Sequence, residues 1–319
     1  MIKKKILIVF GDPNSINSEI IYKTWRKLNN SLKKRICIIG NLDLIKKQFA
    51  ILGYNLKLKK IERINDKIDN KKLNIININF KFKKPFKVSE KDSSKFVRNS
   101  LNLAHLLSKR KIIDGFINCP INKKILPRQA GVTDYLASKC NIKNGSEVML
   151  IKNKNLSVVP ITTHINISKV AKKIKSYLIK KKIFTLNNWF KKNYKRKPKI
   201  AILGLNPHNA EIRKNSEEFR IINPSIIYLK KKGIKISGPF VADTIFIKEY
   251  KNFDVIVGMY HDQVLSSLKS IYNFDAINIT LGLPFLRISP DHGPNYEMIG
   301  KNISNPNSLV SAIKFLDSI

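Results

Sequence analysis

The feature that most constrains this chain is a repeated alternation of short apolar runs, polar or Gly/Pro-bearing loops, and amphipathic stretches. "KILIVF" closes on "GDPNS" and is followed by "SEIIYKTWRKLNNSL", whose apolar residues recur at helical spacing. "RICIIG" leads into "NLDLIKKQFAILG", a helix ending on a C-terminal glycine. The amphipathic "SKFVRNSLNLAHLLSKRK" runs into "IIDGFINCP". Later apolar runs are "SVVPITT", "KIAILGLNP", "DVIVGMYH" and "AINITLGLP", with "ISKVAKKIKSYLIKKKIF" and "SLVSAIKFLDSI" as helices between or after them. Residues 56–90 are lysine-rich and poorly patterned, which allows edge strands only. A strand that is apolar on both faces must be covered on both, and the intervening helices supply the cover. The expectation is an α/β fold with largely parallel sheets and helices on both faces. At 319 residues the chain exceeds the size at which single cores stop growing, roughly 250–300 residues, so two lobes are expected. In such sheets chemistry gathers in the loops at the carboxyl ends of the strands.

Composition narrows the function classes. Lys and Arg number 61 against 22 Asp and Glu, a formal net charge of +39. Clustered cations would point to nucleic acid. Here the lysines are spread along almost the whole chain and accompany heavy use of Ile and Asn, residues that share A/T-rich codons, so solvated charged faces are the reading and no specific nucleic-acid partner is expected. A field that draws in an anionic small substrate is the other use such charge can have. The start "MIKKKILIVFGDP" mimics a signal peptide, but its apolar run is short and ends on Gly-Asp-Pro with no small-residue cleavage site, so it reads as a buried first strand. No apolar run is long enough to span a membrane. Three widely spaced cysteines, Cys37, Cys119 and Cys140, form neither a disulfide framework nor a CxxC site, consistent with a reduced, cytoplasmic protein.

Of only five histidines, three occupy equivalent places: His164 in "PITTHINIS", His208 in "LGLNPHNAE" and His261 in "GMYHDQ". Each follows an apolar strand by one to three residues. Any one alone reads as a strand-end histidine. Parallel strands share one carboxyl edge, so all three imidazoles can converge on one divalent ion with a position left open, as a Lewis-acid site requires. Asp262 and Asp243 are either further ligands or acceptors that fix the imidazole tautomers. A cationic set lies downstream. Lys269 follows His261, and Arg287 lies in a nearly uncharged stretch, 278–293, where a guanidinium can take a phosphate or carboxylate bidentately. Asn278 on the same stretch adds a donor. "GDPNSINSE" occupies the place of a glycine-rich phosphate loop without being GxGxxG, which rejects an ordinary dinucleotide fingerprint there.

Together these stretches resemble the 4-hydroxythreonine-4-phosphate dehydrogenase family of vitamin B6 biosynthesis. The matching pieces are "GDPNSINSE", "CPINKKIL", "GVTDYLA", "TTHI", "LNPHNAE", "GPFVADTIF", "MYHDQVLSSLK" and "NITLGLPFLRISPDHG", in the family's order from residue 11 to about 300. The resemblance implies two α/β lobes like those of isocitrate and isopropylmalate dehydrogenases, with an active site at a homodimer interface. It divides the chain into residues 1–125 with 270–319, and a metal and dimer-interface lobe over 126–269. It implies NAD or NADP bound without a GxGxxG loop, with His292 and Gly293 in the cofactor loop, and one divalent ion per subunit (Zn2+, Mg2+ or Co2+). The ion's ligands would be His164, His208 and His261, with His261 reaching the partner subunit's site. Thr133, Lys269, Asn278 and Arg287 match substrate-binding positions, and Lys269, His261 and Asp243 are the catalytic candidates. The implied reaction oxidises 4-phosphooxy-L-threonine to 2-amino-3-oxo-4-phosphooxybutanoate, which decarboxylates to 3-amino-2-oxopropyl phosphate. The nearest alternative is a sister dehydrogenase of 4-phospho-threonate or 4-phospho-erythronate. A non-catalytic binding protein descended from the enzyme is a further one, opposed by the intact histidine set, Lys269 and Arg287.

Several positions depart from the family. Val132-Thr133 stands where His-Thr is usual, and a lost charge-assisted hydrogen bond costs roughly 1.5–3 kcal/mol. Ser15 and Asn17 replace glycines of the first loop, Val264 and Ser267 replace Gly and Pro, and Asn209-Ala210 replaces Ala-Gly.

Overall fold

The computed structural model describes residues 5–126, 131–142, 145–247, 249–273 and 275–319. The strands of the first part of the chain are β1 (Ile6–Val9), β2 (Ile36–Gly40), β3 (Leu58–Ile61), β4 (Leu73–Asn77) and β5 (Gly115–Asn118). They are followed by β6 (Val148–Lys152), β7 (Ser157–Thr162), β8 (Ile200–Leu203), β9 (Ile236–Phe240), β10 (Val255–Tyr260), β11 (Ile277–Leu281) and β12 (Leu286–Pro290).

The chain forms two compact units, Met1–Cys140 with Pro284–Ile319, and Asn141–Leu283. The divisions therefore fall after residues 140 and 283, where the sequence reading put them after 125 and 269. Local pairing accounts for both places. The helix Val132–Lys139 is tied to the helix Glu90–Lys109 by the Tyr135 hydroxyl, which donates to Asn102 Oδ1 at 2.7 Å. Residues 277–281 are held by antiparallel pairing of β11 with β6.

In the first unit the strands run in the order β3, β4, β2, β1, β5, β12, and every pair is parallel. All four residues of β1 are buried, which is why "ILIV" is apolar on both faces rather than alternating. Ser89 caps the helix Glu90–Lys109 by accepting from the Asp92 amide at 3.1 Å, and Asn41 caps Leu42–Ile51 by accepting from the Leu44 amide at 2.8 Å.

In the second unit the order is β11, β6, β7, β10, β8, β9. Strand β6 is antiparallel to both neighbours, and the remaining pairs are parallel. The stretch expected as one helix from Ile167 is broken. A single turn, Val170–Lys173, gives way to extended backbone at Ile174 and Lys175 before the helix Ser176–Tyr194. Ile174 is fully buried at that break. The Gly-Pro stretch at 238–239 belongs to β9. No helix among the described residues is long and apolar enough to cross a membrane.

Candidate functional site

In the second unit, β7 and β10 are parallel neighbours with Thr162 opposite Tyr260. The residues that follow each strand are therefore delivered side by side. His164 stands two residues beyond β7, with a left-handed φ of 43°, and His261 is the first residue of the helix His261–Tyr272. Their ring centroids are 5.4 Å apart with 39° between planes. Two imidazoles on one tetrahedral ion, each bonded at about 2.1 Å, would place their centroids about 5 Å apart, so the pair has the spacing that such an ion requires. His261 Nδ1 lies 2.6 Å from Asp262 Oδ1. A carboxylate at Nδ1 favours the Nδ1–H tautomer and directs the Nε2 lone pair outward, the usual support for a ligating histidine. The Asp262 carboxylate is thus placed where it can hold the orientation of the His261 ring.

His208 follows β8 in the turn Pro207–Ile212. From His208 to Ile212 every residue has positive φ, between 47° and 56°. Left-handed backbone costs non-glycine residues roughly 1–2 kcal/mol each, so the surroundings must over-determine it. Glu218, fully buried, accepts from the amides of Leu205 and Asn206 at 2.7 and 2.8 Å and from Asn206 Nδ2 at 3.0 Å. Burial alone would raise its carboxyl pKa, but these hydrogen bonds overcome that and lower it. Asn209 Nδ2 donates to the Pro239 carbonyl at 3.0 Å, and a methyl group placed on Gly204 would overlap Asn209 Oδ1. Among the described residues no three His, Cys, Asp or Glu side chains gather tightly enough to hold a metal ion. One chain therefore brings two of the three expected ligands together, and His208 is not gathered with them.

The other expected residues of this unit are dispersed along its strand ends. Asp243 is exposed on the short helix Ala242–Ile245 that follows β9. Lys269 is half-buried in the last turn of His261–Tyr272. Asn278 lies on β11, its Oδ1 buried without a hydrogen-bond partner among the described residues.

The first unit carries the cationic element. Arg287 on β12 is only 4% exposed. Its Nε donates to Asn118 Oδ1 at 2.6 Å and its Nη1 to Thr133 Oγ1 at 3.4 Å. Desolvation brings its pKa down to about 10, a measure of how far the cation is removed from water. Thr133 and Arg287, both expected in substrate binding, are thus brought together. Asn118, at the end of β5, was missed: a lone asparagine before "CP" carries no signal without its partner. Val132 is nearly buried at the start of the same helix as Thr133.

A cleft of about 310 Å³ in this unit is lined by Asp12, Asn14, Ser93, Asn122, Lys124 and Tyr296 among others. The Tyr296 hydroxyl donates to Asp12 Oδ2 at 3.3 Å and accepts from Asn122 Nδ2. Burial raises the Asp12 carboxyl to about 6, against hydrogen bonds that pull it down. Tyr296, four residues beyond His292, lines this cleft, whereas His292 and Gly293 do not. His292 Nδ1 instead lies 3.0 Å from the Gly293 carbonyl oxygen.

The family profile described as "Pyridoxal phosphate biosynthetic protein PdxA" matches residues 16–316. The 4-hydroxythreonine-4-phosphate dehydrogenase of Sulfurihydrogenibium sp. (strain YO3AOP1) is 38% identical over 97% of this chain and 96% of its own length. A protein of Oceanobacillus iheyensis, 29% identical over 98% of this chain and 97% of its own, is named provisionally as a D-threonate 4-phosphate dehydrogenase. The crystal structure of a 4-hydroxythreonine-4-phosphate dehydrogenase from Klebsiella pneumoniae superposes with a TM-score of 0.87 at 25% identity, covering 99% of this chain and 98% of that one.

Proposed function

The chain belongs to the PdxA family of pyridoxal phosphate biosynthetic proteins, and we propose that it oxidises 4-phosphooxy-L-threonine at its C3 carbinol. The hydride passes to NAD+ or NADP+ and the hydroxyl proton is released, leaving 2-amino-3-oxo-4-phosphooxybutanoate. Loss of carbon dioxide from that β-keto acid gives 3-amino-2-oxopropyl phosphate. The family match over residues 16–316 is the observation that carries this reading.

The residues support it in the following roles. Arg287, desolvated and oriented by Asn118 and Thr133, binds an anionic group of the substrate; a guanidinium suits phosphate or carboxylate because its fork matches two oxygens at once. Lys269 contacts the substrate and takes part in proton transfer. Asn278, with a buried acceptor oxygen still to be satisfied, adds a substrate contact. The loop bearing His292 and Gly293 belongs to the nicotinamide cofactor. His164, His208 and His261 are the ligands of one divalent ion, drawn from two copies of the chain in a homodimer, with Asp243 at the edge of the ligand shell. Such an ion supplies Lewis acidity toward the carbinol oxygen. Imidazole ligands favour zinc or cobalt over magnesium.

The test is formation of NADH or NADPH from 4-phosphooxy-L-threonine by the wild type and His261→Ala, each with and without a chelator. Full chelator-sensitive activity in His261→Ala would remove that residue from the ligand set. A second reading, oxidation of 4-phospho-threonate or 4-phospho-erythronate, is favoured by Val132, which cannot donate to a substrate anion, and by the name given to the Oceanobacillus relative. Higher kcat/KM on either acid than on the amino acid would establish it over the first.

A further inference from the structure

Two of the three histidine-bearing strand ends are laced together by one side chain that belongs to neither the proposed ligand set nor the substrate contacts. Gln263 is the third residue of the helix His261–Tyr272. Its Oε1 accepts from the Met259 amide at 2.6 Å, and its Nε2 donates to the Gly204 carbonyl at 2.8 Å. The first bond folds the helix start back onto the end of β10, two residues before His261. The second crosses to the segment after β8, four residues before His208. The lacing extends on both sides. Thr162 Oγ1 donates to the Met259 carbonyl at 2.7 Å, which ties in the end of β7 two residues before His164. Gly204 packs so closely on Asn209 that a methyl group there would overlap its Oδ1, and Asn209 is the second residue of the left-handed turn that carries His208. Gly258 is equally confined, since a methyl group on it would press on Gln263 Oε1. A primary amide of this length is the one side chain that accepts from one strand end and donates to the next at the same time.

We propose that Gln263 is a positioning residue for the divalent-metal site, fixing the start of the helix that carries His261 against the end of β10 and the segment after β8. The inference rests on the metal reading given above. Gln263 touches neither ion nor substrate in this role. It acts through the backbone at Met259 and Gly204, in the way that residues behind the ligands of a metal site tune it.

The experiment is titration of the metal-free full-length protein with Co2+, followed by its visible d–d absorption, together with thermal melts of the metal-free forms. The proteins are wild type, Gln263→Leu, Thr162→Val and Ser267→Ala. Loss of an outer-shell partner typically weakens metal affinity about 10–100-fold, and that loss with an altered Co2+ band is expected for Gln263→Leu. Thr162→Val, which removes one bond of the lacing and keeps side-chain shape, is expected to shift affinity in the same direction by a few-fold, and it carries the test if Gln263→Leu does not fold. Ser267→Ala, on the same helix, should match wild type. If Gln263→Leu, or Thr162→Val in its place, lowers the melting temperature but binds Co2+ with unchanged affinity and spectrum, Gln263 is merely structural and the proposal fails. If the wild type itself binds no Co2+, the metal reading fails and takes the proposal with it, a result distinct from the first.

Discussion

Asp12 offers a direct measure of how the first loop is built. The side chain is 2% exposed, and burial lifts its pKa from the ordinary 3.8 to about 6, although the amides of Asn14 and Asn122 and the Tyr296 hydroxyl pull the other way. The folded protein therefore keeps this proton over a range in which the unfolded chain has already lost it. Stability falls as pH rises from about 4 to about 6 and is level above, the reverse of an ion-paired carboxylate. A gap of about two pH units corresponds to about 3 kcal/mol in all. Between pH 5 and pH 7.5 the same linkage leaves about 1.4 kcal/mol. Asp12→Asn keeps an acceptor for the Asn14 amide, now at 2.9 Å, but has no proton to release. Urea unfolding at the two pH values should therefore show wild type losing about 1.4 kcal/mol more than the variant across that interval. Fluorescence can be confined to the right unit. Trp25 and Trp189 are the only tryptophans, and Trp25 belongs to the unit that holds Asp12, so both proteins are measured on a Trp189→Phe background. Stability–pH curves that run parallel within about 0.3 kcal/mol would refute the argument that desolvation dominates at Asp12.

Arg287→Lys keeps a positive charge but loses the Nε bond to Asn118 and the planar fork. A charge-assisted bond of roughly 1.5–3 kcal/mol predicts kcat/KM lower by about 10–100-fold, and steady-state kinetics within two-fold of wild type would contradict it. Val264→Gly restores the residue usual in the family, yet Val264 is fully buried in a cluster with Leu203, Ile256 and Leu268. The loss of three carbons plus a glycine in a helix should cost about 2–4 kcal/mol, read as a lower urea midpoint, and a neutral effect would show that the site collapses around the gap. The charge of +39 should yield only weak, sequence-independent DNA retention, lost by roughly 0.2 M salt in a filter-binding series. Binding that survives such salt would reopen a nucleic-acid role.

What could be read from the sequence follows the physics of each segment. Strands β1, β2 and β10 were legible because sheet residues buried on both faces must form unbroken apolar runs. Strand β9 was not, since "ISGPF" carries a glycine, a proline and partly exposed positions at the sheet edge. Strand β12 hides behind Arg287, whose burial depends on Asn118, a partner 169 positions away. The same limit governs the histidines. Their common strand-end context was visible, but that His164 and His261 pair depends on β7 lying beside β10, and strand order is not written locally.

The departures from the family pattern show the converse, that an unexpected residue becomes intelligible through what it touches. Asn17, where a glycine is usual, sends its Nδ2 to the carbonyls of Phe10 at 2.8 Å and Pro120 at 2.9 Å, so a side-chain amide pins the loop to the ends of two strands. That placement in turn demands a glycine at position 11: its φ is +83°, and a methyl group there would overlap Asn17 Nδ2 and the Pro120 carbonyl. Val264 repeats the relation, because a methyl group on Gly258 would overlap its Cγ1. In both pairs one residue gains bulk in space that its partner glycine leaves open, so the substitution that looks like loss in a linear comparison is a local repacking. Single reversions should therefore be destabilising. Gly258→Ala should be tolerated better in the Val264→Gly background than with Val264 in place, a coupling that a double-mutant cycle measures directly.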